Sequence, residues 1–172
     1  LKSAKQQVIL KELLSGDNNE ISNGFSLLSP AFIILADKKT QLIGEVTPIV
    51  TEYKFLLQKA FTGNAVFIPP FKHKQAQSIK NDDTSKGSIA IAYFLVPIIN
   101  NDGETIAVLA EQVNPYKTFS KILRTGRIGD SGETYAFNSF GLMISESRFT
   151  EDLLNTELLN GQQTSLLNIQ LN

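Results

Sequence analysis

The sequence contains no cysteine and no tryptophan, and it has a single histidine, His73. Without cysteine the chain cannot form a disulfide, use a thiol nucleophile or bind zinc through thiolates. Either an oxidising or a reducing compartment remains compatible with such a chain. A Ser-His-Asp triad or a histidine metal site would have to be built around His73, and its neighbours Lys72 and Lys74 disfavour a metal. We therefore predict no catalytic residue, no metal site and no cofactor.

An excess of charge of one sign and a long apolar run are also missing. The 16 Lys and Arg residues balance 17 Asp and Glu residues, which leaves a net charge of -1. No global field then attracts nucleic acid or an anionic membrane surface. No apolar run approaches the roughly 18 residues that span a bilayer, and the first residues lack the order of a signal peptide. We expect no nucleic-acid partner, and we expect any membrane anchor to lie outside this sequence.

What is present is a chain of 172 residues, 42% of them hydrophobic, which is enough for a real core. Apolar residues at helical spacing over 1–14 predict an amphipathic helix that Gly16 ends. Residues 32–36 and 41–44 predict a β-hairpin. A second helix is predicted from Thr47-Pro48, a cap followed by proline, to Gly63.

The strongest strand signals come from residues 88–98 and 105–113, which the turn sequence Asn101-Asp102-Gly103 joins. Both segments are apolar at odd and even positions, which predicts a sheet covered on both faces. A shorter strand at 65–68 ends at Pro69-Pro70, because proline cannot donate to a ladder. Residues 71–86 are polar and aperiodic and predict a long loop.

The last third of the chain predicts a helix from Asn114-Pro115 to Gly126, a hairpin of 133–138 with 141–146, a short helix from 151 and a strand-like segment at 165–171. The hairpin is similar to residues 34–45 at an offset of 101 residues. The simplest interpretation is two copies of one helix-plus-sheet module, the second incomplete.

Residues 126–138 read GRIGDSGETYAFN, and residues 141–149 read GLMISESRF. Together with the predicted order of elements, these stretches resemble the double-Cache family, the PAS-like extracytoplasmic sensor domains of bacterial signalling proteins. They look like the opening of a membrane-proximal module, whereas 67–70 and 93–98 look like a membrane-distal one. The resemblance covers nearly the whole chain and is most specific over 88–150.

The resemblance implies an α+β fold. Residues 1–118 would form a membrane-distal Cache module with a long N-terminal helix and a central antiparallel sheet of about five strands flanked by helices. Residues 119–172 would begin a membrane-proximal module and leave it incomplete. The family also implies a homodimer through the N-terminal helix, transmembrane helices outside this chain, and a location on the periplasmic or extracellular side of the bacterial inner membrane.

The family further implies a small-molecule pocket in the distal module, against the concave face of the central strands. We expect that pocket to be lined by Tyr93, Phe67, Phe71 and Tyr53. Lys72 and His73 are candidates for meeting an anionic ligand, although His73 is also interpreted as a solvated loop residue. Tyr93 has its own alternative, a plain core position with a hydroxyl that needs a partner. Amino-acid-binding members carry an Arg-x-Trp-Tyr pattern, so the absence of tryptophan argues against free amino acids as the ligand.

Three functions are weighed. The first is a ligand-sensing domain of a histidine kinase of a two-component system, a cyclase or a chemoreceptor, which is not itself an enzyme. The second is a dimerisation or protein-interaction module with no small ligand. The third, a small hydrolase, is the weakest, because no nucleophile, base and orienting acid can be assembled around His73. The glycines at 126, 129 and 132 have the wrong spacing for a phosphate-binding loop.

Overall fold

A computed structural model describes residues 22–38, 40–73, 89–126, 129, 131–161 and 164–171. The predicted N-terminal helix at 1–14 and most of the predicted loop at 71–86 lie outside these residues. The strands are β1 (Ser22–Leu28), β2 (Ile34–Asp37), β3 (Val66–His73), β4 (Ile89–Ile99) and β5 (Thr105–Val113). The helices are α1 (Ile49–Phe61), α2 (Phe119–Arg124) and α3 (Thr150–Asn155), with a 3-10 turn at Thr40–Leu42.

The strands form one antiparallel sheet in the order β2-β1-β5-β4-β3. β1 lies between its neighbour in sequence and the last strand, because Leu28 pairs with Ile34 of β2 and with Val108 of β5. The α+β class and the sheet of five strands are confirmed, and the arrangement is compatible with a PAS-like fold. The predicted long N-terminal helix falls on residues outside the part of the chain that the structure describes.

β1 is a strand that the sequence pattern does not predict. Its sequence SNGFSLL contains a glycine at φ +121° and two serines, which are weak strand signals. Pairing on both sides makes it a strand nonetheless.

The predicted hairpin of 32–36 with 41–44 forms only in part. β2 pairs along β1, and residues 40–42 form a 3-10 turn, with short return contacts from Gly44 N to Ile34 O (2.8 Å) and Ile34 N to Glu45 O (2.9 Å).

The β4–β5 hairpin closes as its turn sequence predicts. Asn100 N donates to Glu104 O at 2.9 Å and Gly103 N donates to Asn100 O at 3.1 Å. Gly103 has φ +83°, a conformation that glycine adopts without steric cost. The Asn100 side chain also accepts from the backbone N–H groups of Asp102 and Glu104. These bonds fix the register of the two long strands.

The helices begin later than their caps predict. α1 has Pro48 as its N-terminal flanking residue and no side-chain cap bond, while Thr47, the predicted cap, is buried instead. α2 begins at Phe119, because Asn114 accepts from Tyr116 N and residues 114–118 form turns before the helix. α1 packs its apolar face, with Leu57 fully buried, on the sheet side that includes β5.

The chain divides into two compact units. The first comprises 1–68 and 93–113, and the second comprises 69–92 and 114–172. The core of the first unit contains the fully buried side chains Leu28, Leu57, Ile68, Leu95 and Val108. The predicted boundary after residue 118, between a first and a second Cache module, stays a prediction.

The second unit is organised around the predicted hairpin of 133–138 with 141–146, of which the pairing between Ala136 and Ile144 is formed. Ile144 N donates to Ala136 O at 2.8 Å, and the C-terminal segment lies alongside through Leu167 N to Met143 O at 2.8 Å. Ala90, Ile144, Leu166 and Leu167 form its apolar core. The strand-like segment predicted at 165–171 therefore pairs with the hairpin, although among the described residues only one isolated bridge, between Leu142 and Gln170, joins them.

Candidate functional site

The residues predicted to line a ligand pocket fall into both compact units. Tyr53, Phe67 and Tyr93 belong to the first unit, and Phe71, Lys72 and His73 belong to the second. The backbone of His73 ends β3, while its side chain lies outside the described residues. The six residues therefore fall into two groups, one in each unit.

Tyr93 and Phe67 do not lie on the same face of the sheet. The rings of Phe67 and Phe94 have centroids 5.1 Å apart, so these two side chains share a face. Tyr93 precedes Phe94 along β4 and therefore points to the opposite face. It is buried there, and burial, followed by the charge of Asp37, raises the pKa of its hydroxyl. Tyr93 and Phe67 cannot line one pocket wall.

The remaining predicted residues have separate environments. Tyr53 is half-buried in α1 at a non-helical φ of -129°, and burial and the Glu52 charge raise its pKa. Phe71 is buried in the second unit. Lys72 is exposed and its Nζ donates to Asn168 Oδ1 at 2.7 Å. Lys72 is therefore tied to the C-terminal segment.

Part of the sheet face that carries Phe94 is exposed among the residues that the structure describes. Phe94, Val96 and Ile98 alternate along β4 and are 44%, 49% and 37% exposed. The bond between Asn100 and Glu104 sets Ile98 opposite Ile106 of β5, which is 52% exposed. We call these residues the open sheet face, and its members are Phe67, Phe94, Val96, Ile98 and Ile106. They are all uncharged, and a contiguous exposed apolar surface of this kind marks contact sites in soluble proteins.

The second unit contains a cluster of buried serines that the sequence reasoning missed. Its members, which we call the serine cluster, are Ser120, Ser145, Ser147 and Ser165. Ser145 Oγ accepts from Ala136 N at 3.0 Å, and Ser165 Oγ accepts from Ser147 N at 2.6 Å. Each bond satisfies a backbone donor away from regular secondary structure. The spacing of Ser145 and Ser147, two residues apart at the end of the predicted strand 141–146, was the available signal.

Glu133 holds the end of the same hairpin. Its carboxylate accepts from Ser147 Oγ at 3.0 Å and from Arg148 N at 2.7 Å. Tyr135 lies beside Glu133 and Ser147, and the pKa of its hydroxyl is raised first by burial and then by Glu133. Thus the GETY and SESRF stretches, the most specific in the sequence, meet around one carboxylate.

Glu146 is the carboxylate that the structure satisfies least. Its Oε2 atom is buried and has no hydrogen-bond partner within the described residues. Burial raises the pKa of Glu146, although the Arg124 charge and the Ser165 backbone N–H act to lower it and Glu133 raises it further. A buried carboxylate that is poorly supplied with donors favours its protonated form.

No described group of three or more acidic, histidine or cysteine side chains could hold a metal ion. Among the helices in the described part of the chain, none has the length and apolarity to span a bilayer. No protein-family model matches the sequence, and no curated protein is significantly similar to it. The geometry supports contact with an apolar partner at the open sheet face and proton uptake at Glu146.

Proposed function

We propose that this chain is the extracytoplasmic ligand-sensing domain of a bacterial transmembrane signalling receptor, whose output domain is a histidine kinase, a cyclase or a chemoreceptor. The observation that carries the proposal is the antiparallel sheet in the order β2-β1-β5-β4-β3 with α1 between β2 and β3, an arrangement compatible with a PAS-like sensor fold. The similarity of residues 126–149 to a Cache module gives further support. In this proposal the chain itself carries out no reaction.

The ligand would contact the open sheet face instead of Tyr93. Phe67 and Phe94 already form a ring pair, and an apolar or aromatic portion of a ligand would extend it. Covering Val96 and Ile98 would remove apolar surface from water at about 25 cal/mol per Å². The signal would then pass through a helical homodimer, provided that the ligand binds one dimer state more tightly than the other.

A thermal-shift screen of carboxylates, amines, nucleobases, sugars and small aromatic compounds tests the ligand role. A compound at 100 times its Kd adds about 2.7 kcal/mol to the stability, which is roughly 5–10 °C in Tm for a chain of this length. Val96→Glu should abolish the shift. The matched control is Phe55→Glu on α1, where the side chain is 76% exposed, and it should leave the shift unchanged.

A hit that survives Val96→Glu would place the ligand away from the open sheet face. A screen with no hit would contradict the sensing role itself. The two failures are therefore distinguishable, because one moves the site while the other removes the ligand.

The second candidate function is a dimerisation module with no small ligand. The open sheet face favours it, because stacking two copies of an uncharged face brings no like charges together and buries apolar surface on both. Sedimentation equilibrium up to about 0.5 mM covers the millimolar-to-micromolar affinities of small interfaces. A dimer that Val96→Glu dissociates, together with a screen that finds no ligand, would favour this function. A dimer that Val96→Glu leaves intact would instead match the predicted contact through the N-terminal helix.

A further inference from the structure

Glu146 lies where several segments of the second unit meet. Its backbone N–H donates to Ser120 Oγ of α2 at 3.0 Å. The backbone N–H of Ser165 is close enough to the carboxylate to act on its pKa by lowering it, and Ser165 Oγ accepts from Ser147 N, the next residue along, at 2.6 Å. Thus the backbone bonds of Glu146 and Ser147 attach the end of the hairpin to α2 and to the C-terminal segment.

The charge on this carboxylate opposes the packing that the bonds produce. An ionised carboxylate offers about four acceptor positions, yet Oε2 is buried without a partner among the residues described. Leaving a buried charged oxygen unsatisfied costs more than leaving a neutral one. Protonation removes that charge and turns the same group into a hydrogen-bond donor.

The charged and titratable groups around Glu146 come from three segments. Arg124 on α2 attracts the carboxylate, and Glu133, at the start of the hairpin, repels it. Tyr116, in the turn before α2, is close enough that the Glu146 charge contributes to raising its pKa. Arg148 lies two residues further along the same segment as Glu146. Burial outweighs the attraction of Arg124, so the pKa of Glu146 is raised in the folded chain.

We propose that Glu146 is a proton-sensitive latch, in which proton uptake by its carboxylate strengthens the attachment of the hairpin to α2 and to the C-terminal segment. Because the folded-state pKa is raised, the stabilisation is fully present below the unfolded-state pKa and is lost as the pH rises through the folded-state pKa. Acidification therefore tightens the second unit, in contrast to the usual effect on a paired carboxylate. The latch does not depend on any ligand at the open sheet face.

The test compares the whole wild-type chain with Glu146→Gln, which mimics the protonated side chain. Amide hydrogen exchange at residues 136–147 is followed from about pH 7.5 to about pH 5, with correction for intrinsic exchange. In the wild type, protection should rise as the pH falls, by up to tenfold for each unit that separates the folded and unfolded pKa values. Glu146→Gln should lack this pH-dependent rise in protection. The contributions of the other titrating groups cancel when the profile of the variant is subtracted from that of the wild type. Glu151→Gln, which changes an exposed carboxylate on α3, should behave like the wild type.

A carboxyl carbon-13 NMR titration of the wild type supplies an independent measurement, with Glu146 assigned from backbone connectivities. A midpoint clearly above the ordinary glutamate value of about 4.3 is expected. A midpoint at or below that value, or Glu146→Gln profiles parallel to those of the wild type, would overturn the latch. The NMR titration decides the matter even if the glutamine variant does not fold.

Discussion

Replacing Glu133 by alanine removes a carboxylate that accepts hydrogen bonds from two donors at the other end of the hairpin, in Ser147 and Arg148. Ser147 Oγ and Arg148 N lie 3.0 and 2.7 Å from its oxygens, and Ser147 is buried. A hydrogen bond to a charged group contributes about 1.5–3 kcal/mol, and bonds to one carboxylate are not additive. We therefore expect Glu133→Ala to lower the free energy of unfolding by about 3 kcal/mol. For a chain of this length that corresponds to roughly 6–12 °C in Tm.

Urea unfolding followed by circular dichroism measures the loss, and hydrogen exchange at the amide of Arg148 locates it. Glu133→Gln keeps one acceptor oxygen, so it should lose about half as much stability. Glu151→Ala, on the exposed side of α3, is the surface control and should stay within about 0.5 kcal/mol. A Glu133→Ala variant that unfolds within about 0.5 kcal/mol of the wild type would refute the idea that this carboxylate holds the hairpin end.

Other side chains give equally direct predictions. Leu166→Ala removes a fully buried side chain from the core of the second unit and should cost about 2–5 kcal/mol in urea unfolding, whereas a loss below about 1 kcal/mol would contradict its core position. Gly141 has φ +76°, and an added Cβ would lie 2.8 Å from Leu171 O, so Gly141→Ala should cost more than Gly103→Ala, which meets open space; equal losses would contradict this. Burial raises the pKa of Tyr93, so the contribution of its neutral hydroxyl to stability is fully present below the ordinary tyrosine pKa and is lost as the pH rises through the raised value. Spectrophotometric titration of the wild type should show one tyrosine that Tyr93→Phe removes and that ionises only on alkaline unfolding.

The elements that could be predicted are those whose signals are local. The turn at Asn101-Asp102-Gly103 fixes the β4–β5 hairpin through its own side chain and a glycine at positive φ, so the sequence alone suffices. β1 has no such signal. Its strand conformation comes from pairing with β2 and β5, of which the latter lies about 80 residues away along the chain. Non-local pairing of this kind leaves no trace in the composition of the segment.

The candidate site shows the same division. Phe67 was predicted within a short strand at 65–68 and lies in β3. Tyr93 was assigned with it to one pocket wall, the concave face of the central strands. Alternation along β4 places Tyr93 opposite, and only the contact between Phe67 and Phe94 reveals which residue shares the face of Phe67. A one-residue difference in register reverses every side chain of a strand, so a face assignment from sequence fails wherever both parities are apolar.

The most distinctive sequence is not where a ligand is expected to bind. GETY and SESRF are distinctive because backbone donors at an irregular hairpin end require specific acceptors, which Glu133 and the serine cluster provide. Such residues cannot be exchanged without leaving a buried donor unsatisfied. The choice of side chain on the open sheet face is less restricted, since any apolar side chain of suitable size can contact a ligand or a partner. Under the proposed function, Phe94, Val96 and Ile98 could therefore change with the ligand while Glu133 and the serine cluster stay constant.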